Sequence, residues 1–134
     1  MNPEASEILD KAFRQIKAAA MQDVATTAGA AAHLSYYAMF RAARAVLLDT
    51  HGTVSSKHGS VHTGFDALVQ SEGDDVRRHA MALRKAYSAR LIQDYTTEDV
   101  SPEAAAELIA LAVDFVAWCA RRLGAEPPPP NADP

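Results

Sequence analysis

Apolar residues recur along this chain at the three- and four-residue spacing that places them on one face of a helix. In the first segment, Leu9, Phe13, Ile16 and Ala20 share such a stripe. Acidic residues precede the stripe, where they stabilise the positive end of a helix. The pattern therefore predicts a first helix over about residues 4–23.

Four more helices are predicted further along the chain. The segment from about 30 to 51 is apolar on nearly every side, which is typical of a helix surrounded by others. Amphipathic patterns predict helices over about 58–70 and about 74–95. A fifth helix begins after Ser101, which supplies a capping hydroxyl before a proline, and continues to about residue 123.

The end of the chain has a different composition. Gly124 suits a left-handed cap, and the prolines at 127–130 cannot continue a helix. We therefore predict one helical domain over residues 1–124 and a Pro-rich, flexible tail over 125–134.

Composition supports an all-α fold and narrows the function. Alanine, the best helix former, occurs 28 times in 134 residues, and glycine only 6 times. The net charge of −4 argues against a protein that coats nucleic acid through bulk electrostatics. A single cysteine, no signal segment and no long apolar run predict a cytoplasmic protein with no membrane partner.

Several short motifs resemble one known family. Residues 31–45 contain the run Tyr-Tyr-Ala-Met-Phe at 36–40, Ser-Lys-His-Gly follows at 56–59, and Arg90 precedes Asp-Tyr at 94–95. Together they resemble HEPN domains, specifically the small single-domain bacterial and archaeal branch. The resemblance implies a five-helix up-and-down bundle that is usually dimeric. It also implies a frequent partner, a minimal nucleotidyltransferase encoded alongside as a toxin–antitoxin pair.

Active HEPN proteins are metal-independent endoribonucleases whose signature is an arginine followed, after four to six residues, by a histidine. In this chain Arg90 has Tyr95, Thr96 and Thr97 at those positions. The resemblance thus implies a degenerate motif, with Arg90, Asp94 and Tyr95 as the candidate catalytic residues.

The periodicity of the fourth predicted helix places Arg90 and Asp94 on its apolar stripe, facing the core. A charged pair there is costly unless each partner satisfies the other. Two interpretations stay open: a structural ion pair at i,i+4, or a cleft that faces a ligand or partner.

A second candidate site runs along the second predicted helix, where five residues lie within about 80° of one another around the helix axis and form one stripe. This stripe suits phosphate recognition, because arginine is a bidentate donor and tyrosine can stack, but it equally suits the solvent-facing strip of a buried helix. It consists of His33, Tyr37, Arg41, Arg44 and His51.

His58 is a further candidate ligand-binding residue, and with His62 it has the i,i+4 spacing that can chelate zinc. Two ligands do not make a site, and no nearby carboxylate or cysteine completes the set. We therefore expect no metal and no cofactor.

Three functional hypotheses follow. We favour a module that binds a nucleotidyltransferase partner, a nucleotide or RNA, and we expect it to be a homodimer. The alternatives are a metal-independent ribonuclease toxin using Arg90 with Tyr95 or with a histidine from elsewhere, and a structural dimer without a ligand.

Overall fold

The computed structural model describes residues 1–127, which form five helices and no strand. The all-α fold is therefore confirmed. Most of the predicted tail, residues 128–134, lies outside the described residues, so the boundary at 124 stays a prediction. The helices are α1 (Pro3–Ala20), α2 (Val24–His51), α3 (His58–Glu72), α4 (Asp74–Tyr95) and α5 (Pro102–Arg122).

The central position predicted for the second helix is confirmed, because α2 packs against all four other helices. Its buried positions are rich in alanine, and these small side chains let the neighbouring helices approach closely. Tyr36, Met39 and Val46 fill the spaces between them with no exposed surface.

The predicted start of α2 near residue 30 is wrong. The helix begins six residues earlier, because the Asp23 carboxylate caps it by accepting a hydrogen bond from the Ala25 backbone N–H at 3.1 Å. Thr27 bends the helix without ending it: its backbone is non-helical (φ −130°, ψ 41°), and its hydroxyl donates to the Asp23 carbonyl at 2.9 Å.

Gly29 is needed in this segment because α4 approaches it closely. A Cβ atom at this position would lie 2.7 Å from Cδ of Gln93, well inside van der Waals contact. Gln93 is itself fixed, because its Oε1 accepts the Val100 backbone N–H at 2.9 Å. The start of α2 and the last turn of α4 are therefore in direct contact.

The first helix ends at Ala20, three residues before the predicted end, because Asp23 already caps α2; the ends marked by Ser101 and Gly124 agree with the sequence patterns. The Ser101 hydroxyl accepts a hydrogen bond from the Ala104 N–H at 3.1 Å, as its capping role requires. Gly124 adopts the predicted left-handed conformation, with φ of 75°. Within residues 1–127, no helix has both the length and the apolarity needed to cross a bilayer.

Candidate functional site

Three helices bring a guanidinium group, two phenol rings and two imidazole rings together on one side of the bundle. Tyr36 and Tyr37 come from α2, His58 and His62 from α3, and Arg90 from α4. We call these five residues the Arg90 cluster. The three helices share one corner, since each of α2, α3 and α4 packs against the other two.

Arg90 is the charged centre of this cluster and is largely buried. Its side chain is 12% exposed, and its Cζ lies 5.3 Å from the ring centroid of Tyr37 and 5.9 Å from that of Tyr36. Rings at this distance attract a cation but accept no conventional hydrogen bond. The buried Nε atom of Arg90 has no hydrogen-bond partner within residues 1–127. A buried cation with an unused donor is an unusual cost in a fold and suits an incoming anion.

The i,i+4 ion pair between Arg90 and Asp94, one of the two interpretations left open by the sequence, is present, with Nε of the arginine 3.1 Å from Oδ2 of the aspartate. The N–H bond is not aimed at that oxygen, which is why the contact supplies charge but no hydrogen bond. The expectation that both side chains face the core is right for Arg90 only. Asp94 is 30% exposed, because α4 ends one residue later. His33 lies on the outer side of this carboxylate, with its Nδ1 atom 3.9 Å from Oδ2.

Tyr36 is fully buried, and its hydroxyl joins both histidines of α3. The Oη atom lies 2.6 Å from Nδ1 of His58 and 3.3 Å from Nε2 of His62. Burial, reinforced by the neighbouring Tyr87 and Tyr37, raises the pKa of Tyr36 far above its usual range, so the phenol stays protonated. Tyr36 therefore carries a hydrogen-bond network in addition to packing in the core.

The His58 ring is held flat between aromatic neighbours. Its centroid lies 4.5 Å from that of Phe40 and 5.5 Å from that of Tyr87, both nearly parallel to it. Burial, and secondarily the positive charge of Arg90, lowers the pKa of His58. The imidazole is therefore neutral near pH 7 and lies within the electrostatic reach of the guanidinium.

Only part of the predicted stripe on α2 reaches the Arg90 cluster. His33 and Tyr37 do so: their ring centroids lie 4.7 Å apart, beside Asp94 and Arg90 respectively. Arg44 instead donates from Nε to the Ser55 carbonyl at 3.3 Å, which ties it to the loop before α3. The remaining stripe residues, Arg41 and His51, have no carboxylate within 4.0 Å in the described part of the chain.

Tyr95 lies at the edge of the site. Its side chain is 73% exposed, and the Cζ atom of Arg90 is 5.9 Å from its ring centroid. A ring in this position can stack on a planar ligand, but it is far less enclosed than Tyr36.

The sequence indicates His62 only as a possible zinc ligand and does not reveal its contact with the Tyr36 hydroxyl. Burial is the main cause of its lowered pKa, with smaller contributions from Arg84 and His58. The signal in the sequence was the i,i+4 spacing of His58 and His62, which puts both rings on one face of α3. Within residues 1–127, no group of three or more metal-binding side chains is found around them.

Comparison with known proteins places this geometry in a family context. No curated protein matches the chain significantly. The family model described as "HEPN domain" matches residues 5–123, which include all of α1 except its first two residues, the other four helices and every residue of the Arg90 cluster. Because the match covers far more than half of the chain, the protein belongs to the HEPN family.

Proposed function

We propose that this protein is a binding module for the phosphate groups of RNA or nucleotides, and that the Arg90 cluster is its binding site. The observation that carries the proposal is the state of Arg90. This guanidinium is nearly buried and lies over two tyrosine rings, and within residues 1–127 Nε is its only nitrogen that is both fully buried and without a hydrogen-bond partner, so the terminal nitrogens are not enclosed. Membership of the HEPN family agrees with a nucleotide- or RNA-related role.

The surrounding residues fit the parts of a nucleotide. The planar guanidinium of Arg90 can hold a phosphate through two parallel hydrogen bonds. Tyr95 offers an exposed ring on which a base can stack. His58 adds an imidazole that is partly accessible to solvent beside the guanidinium.

Asp94 sets a limit on how the phosphate binds, because its carboxylate repels an anion. Its Oδ2 atom lies 3.1 Å from Nε of Arg90. The terminal nitrogens of the guanidinium carry four of its five N–H bonds, so they are available to a ligand while Asp94 stays in place. His33, 3.9 Å from the carboxylate, offsets part of the repulsion when it is protonated.

Loss of the family histidine after Arg90 agrees with binding in preference to chemistry. Phosphate contacts depend on charge and geometry, whereas cleavage needs groups that exchange protons. As part of the same proposal, the module acts in a toxin–antitoxin type system with a minimal nucleotidyltransferase partner and is itself a homodimer. Co-expression with such a nucleotidyltransferase tests whether the two proteins associate. Light scattering tests the homodimer, which a mass of one 14.4 kDa chain would contradict.

The binding proposal is tested by fluorescence anisotropy with a labelled, mixed-sequence single-stranded RNA. Arg90→Ala should weaken binding about tenfold or more, and Arg90→Lys should recover only part of the loss, because lysine keeps the charge without the bidentate geometry. Arg121→Ala is the matched control, since it removes an exposed arginine from α5. Equal losses in Arg90→Ala and Arg121→Ala would mean that binding depends on overall charge and would contradict the site.

The structure favours one second candidate function, a metal-independent ribonuclease, because it places a neutral imidazole beside Arg90. In this mechanism the outward Nε2 of His58 is unprotonated and accepts the proton of a ribose 2′-hydroxyl as that oxygen attacks phosphorus, and Arg90 stabilises the charge on the phosphorane. The bond to the 5′-oxygen then breaks, and this oxygen takes a proton from water.

The ribonuclease candidate is tested by incubating the protein with mixed RNA in EDTA. Cleavage that is lost in both Arg90→Ala and His58→Ala would establish the ribonuclease and overturn a purely binding role. We expect weak cleavage at most in the natural protein. Activity that appears only in Tyr95→His, which restores the family spacing, would support the degenerate motif.

A further inference from the structure

The buried hydroxyl of Tyr36 lies between two imidazole rings, and the two contacts differ in length. Its Oη atom is 2.6 Å from Nδ1 of His58 and 3.3 Å from Nε2 of His62. A phenol carries one proton and accepts through oxygen, so it can donate to one ring while it accepts from the other. The direction of this chain of hydrogen bonds decides which nitrogen of His58 carries a proton.

The two lengths assign the direction. A separation near 2.6 Å is typical of a hydroxyl donor, whereas N–H donors lie on average near 2.9–3.0 Å and reach beyond 3 Å. These lengths favour the direction in which the Tyr36 hydroxyl donates to Nδ1 of His58 and the Nε2–H of His62 donates to the Tyr36 oxygen. A phenol that keeps its proton and imidazoles that stay neutral are the states this arrangement needs, and burial favours all three.

The consequence concerns the other side of the His58 ring. If Nδ1 accepts a hydrogen bond, the single proton of the neutral imidazole must lie on Nε2. Nε2 makes no hydrogen bond with residues 1–127, and it is not among their fully buried, unpartnered atoms, so it keeps some exposure to solvent. The ring cannot turn easily, because Phe40 and Tyr87 stack on it.

We propose that Tyr36 and His62 are positioning residues that lock His58 in its Nε2–H tautomer and so present a second phosphate donor beside Arg90. The inference rests on the proposed phosphate-binding function and deepens it. A neutral N–H donor next to a buried guanidinium binds a phosphate oxygen without placing two positive charges side by side. Neither Tyr36 nor His62 touches the ligand; both act through His58.

The tautomer is measured directly by NMR on protein labelled with ¹⁵N-histidine, where the protonated and unprotonated ring nitrogens have well-separated shifts. Wild-type protein should show His58 as a single Nε2–H tautomer. Tyr36→Phe should give a mixture of tautomers and weaken binding of the labelled RNA about fivefold, the effect of one hydrogen bond. Tyr87→Phe is the matched control, because it removes a hydroxyl from another ring on His58 that lies outside the hydrogen-bond chain, and it should change neither readout.

His62 supplies an independent test that does not depend on Tyr36→Phe folding normally. His62→Gln keeps an N–H donor at similar reach and should preserve the tautomer, whereas His62→Leu removes the donor to the Tyr36 oxygen and should give a mixture of tautomers. If His62 had only a structural role, the tautomer of His58 would be the same in His62→Gln and His62→Leu.

The outcomes separate the two proposals. A mixed or Nδ1–H state of His58 in the wild-type protein overturns the positioning role, whatever the RNA affinity. Full RNA affinity in Tyr36→Phe, with the tautomer lost, overturns it as well. RNA that does not bind to the wild-type protein overturns the proposed function, and with it the ligand assigned to His58, even where the tautomer is locked.

Discussion

Helix α4 places an arginine beside a histidine at two points, and the two arrangements are opposite in burial. Near its start, Arg78 is 60% exposed and His79 is 1% exposed. Near its end, Arg90 is 12% exposed, and it lies beside His58 of α3, whose imidazole is partly accessible. At one end the imidazole is enclosed and at the other end the guanidinium is.

The two pairs also differ in how completely they are satisfied. Arg78 forms an ion pair and hydrogen bond with Asp114 of α5 and lies 3.2 Å from Nε2 of His79. The His79 ring packs on Trp118 at a centroid distance of 4.9 Å. Arg90, in contrast, keeps an unpartnered Nε. The first arrangement is complete without a ligand and stabilises the fold, whereas the second leaves hydrogen-bonding capacity for something else.

The largest expected effect concerns His79. His79→Ala should lower the free energy of unfolding by about 3 kcal/mol, because it leaves a cavity between α4 and α5. His58→Ala should cost only about 1 kcal/mol, since that ring is partly exposed. Urea denaturation of both variants measures the difference. Equal losses would mean that the two histidines are equally structural and would remove the contrast.

The next effect concerns Asp94 and Asp114, the carboxylates that pair with Arg90 and Arg78. Asp94→Ala should destabilise the protein by about 2 kcal/mol, because Arg90 is left buried without its counter-charge. Asp114→Ala, which leaves the exposed Arg78, should cost under about 1 kcal/mol. The same denaturation series checks both. A change of only a few tenths of a kcal/mol in Asp94→Ala would show that Arg90 does not need this partner.

Stability should also fall on acidification, and His79 should contribute. Burial lowers the pKa of His79, and Arg78 lowers it further. The unfolded chain, in which histidine titrates near pH 6.5, then binds more protons than the folded protein as the pH falls, so stability is highest above that pH and declines below it. Unfolding measured at pH 7.5 and pH 5.5 should show this decline, and His79→Gln should reduce it. An unchanged slope in His79→Gln would contradict the assignment.

The smallest expected effect is that of removing Arg78, the arginine near the start of α4, on RNA binding. Arg78→Ala should leave RNA affinity within about twofold of the wild type, because an exposed, paired arginine contributes little beyond screened charge. The anisotropy assay used for Arg90→Ala measures it under the same salt conditions. A loss as large as that of Arg90→Ala would place the ligand elsewhere on α4.

The five helices and several of their ends were predictable from the spacing of apolar residues and from capping residues. Spacing of apolar residues predicted five helices, and Ser101 and Gly124 marked ends that the structure confirms. The same rotation predicted that Arg90 and Asp94 both face the core, which is right for Arg90 only, and the ion pair between them was one of two interpretations. The failure at the start of α2 also has a local cause, since Asp23 caps the helix upstream of a bend that sequence patterns interpret as a break.

The sequence by itself determined which residues share a face of each helix, because that depends only on the 100° rotation per residue of a regular backbone. Only the tertiary structure decided which faces meet. It brought the hydroxyl of Tyr36 to two histidines more than twenty positions away, and it left Arg41 and Arg44 of the same predicted stripe outside the cluster. Those contacts depend on how α2, α3 and α4 cross and pack, which is set by side chains distributed over the whole core.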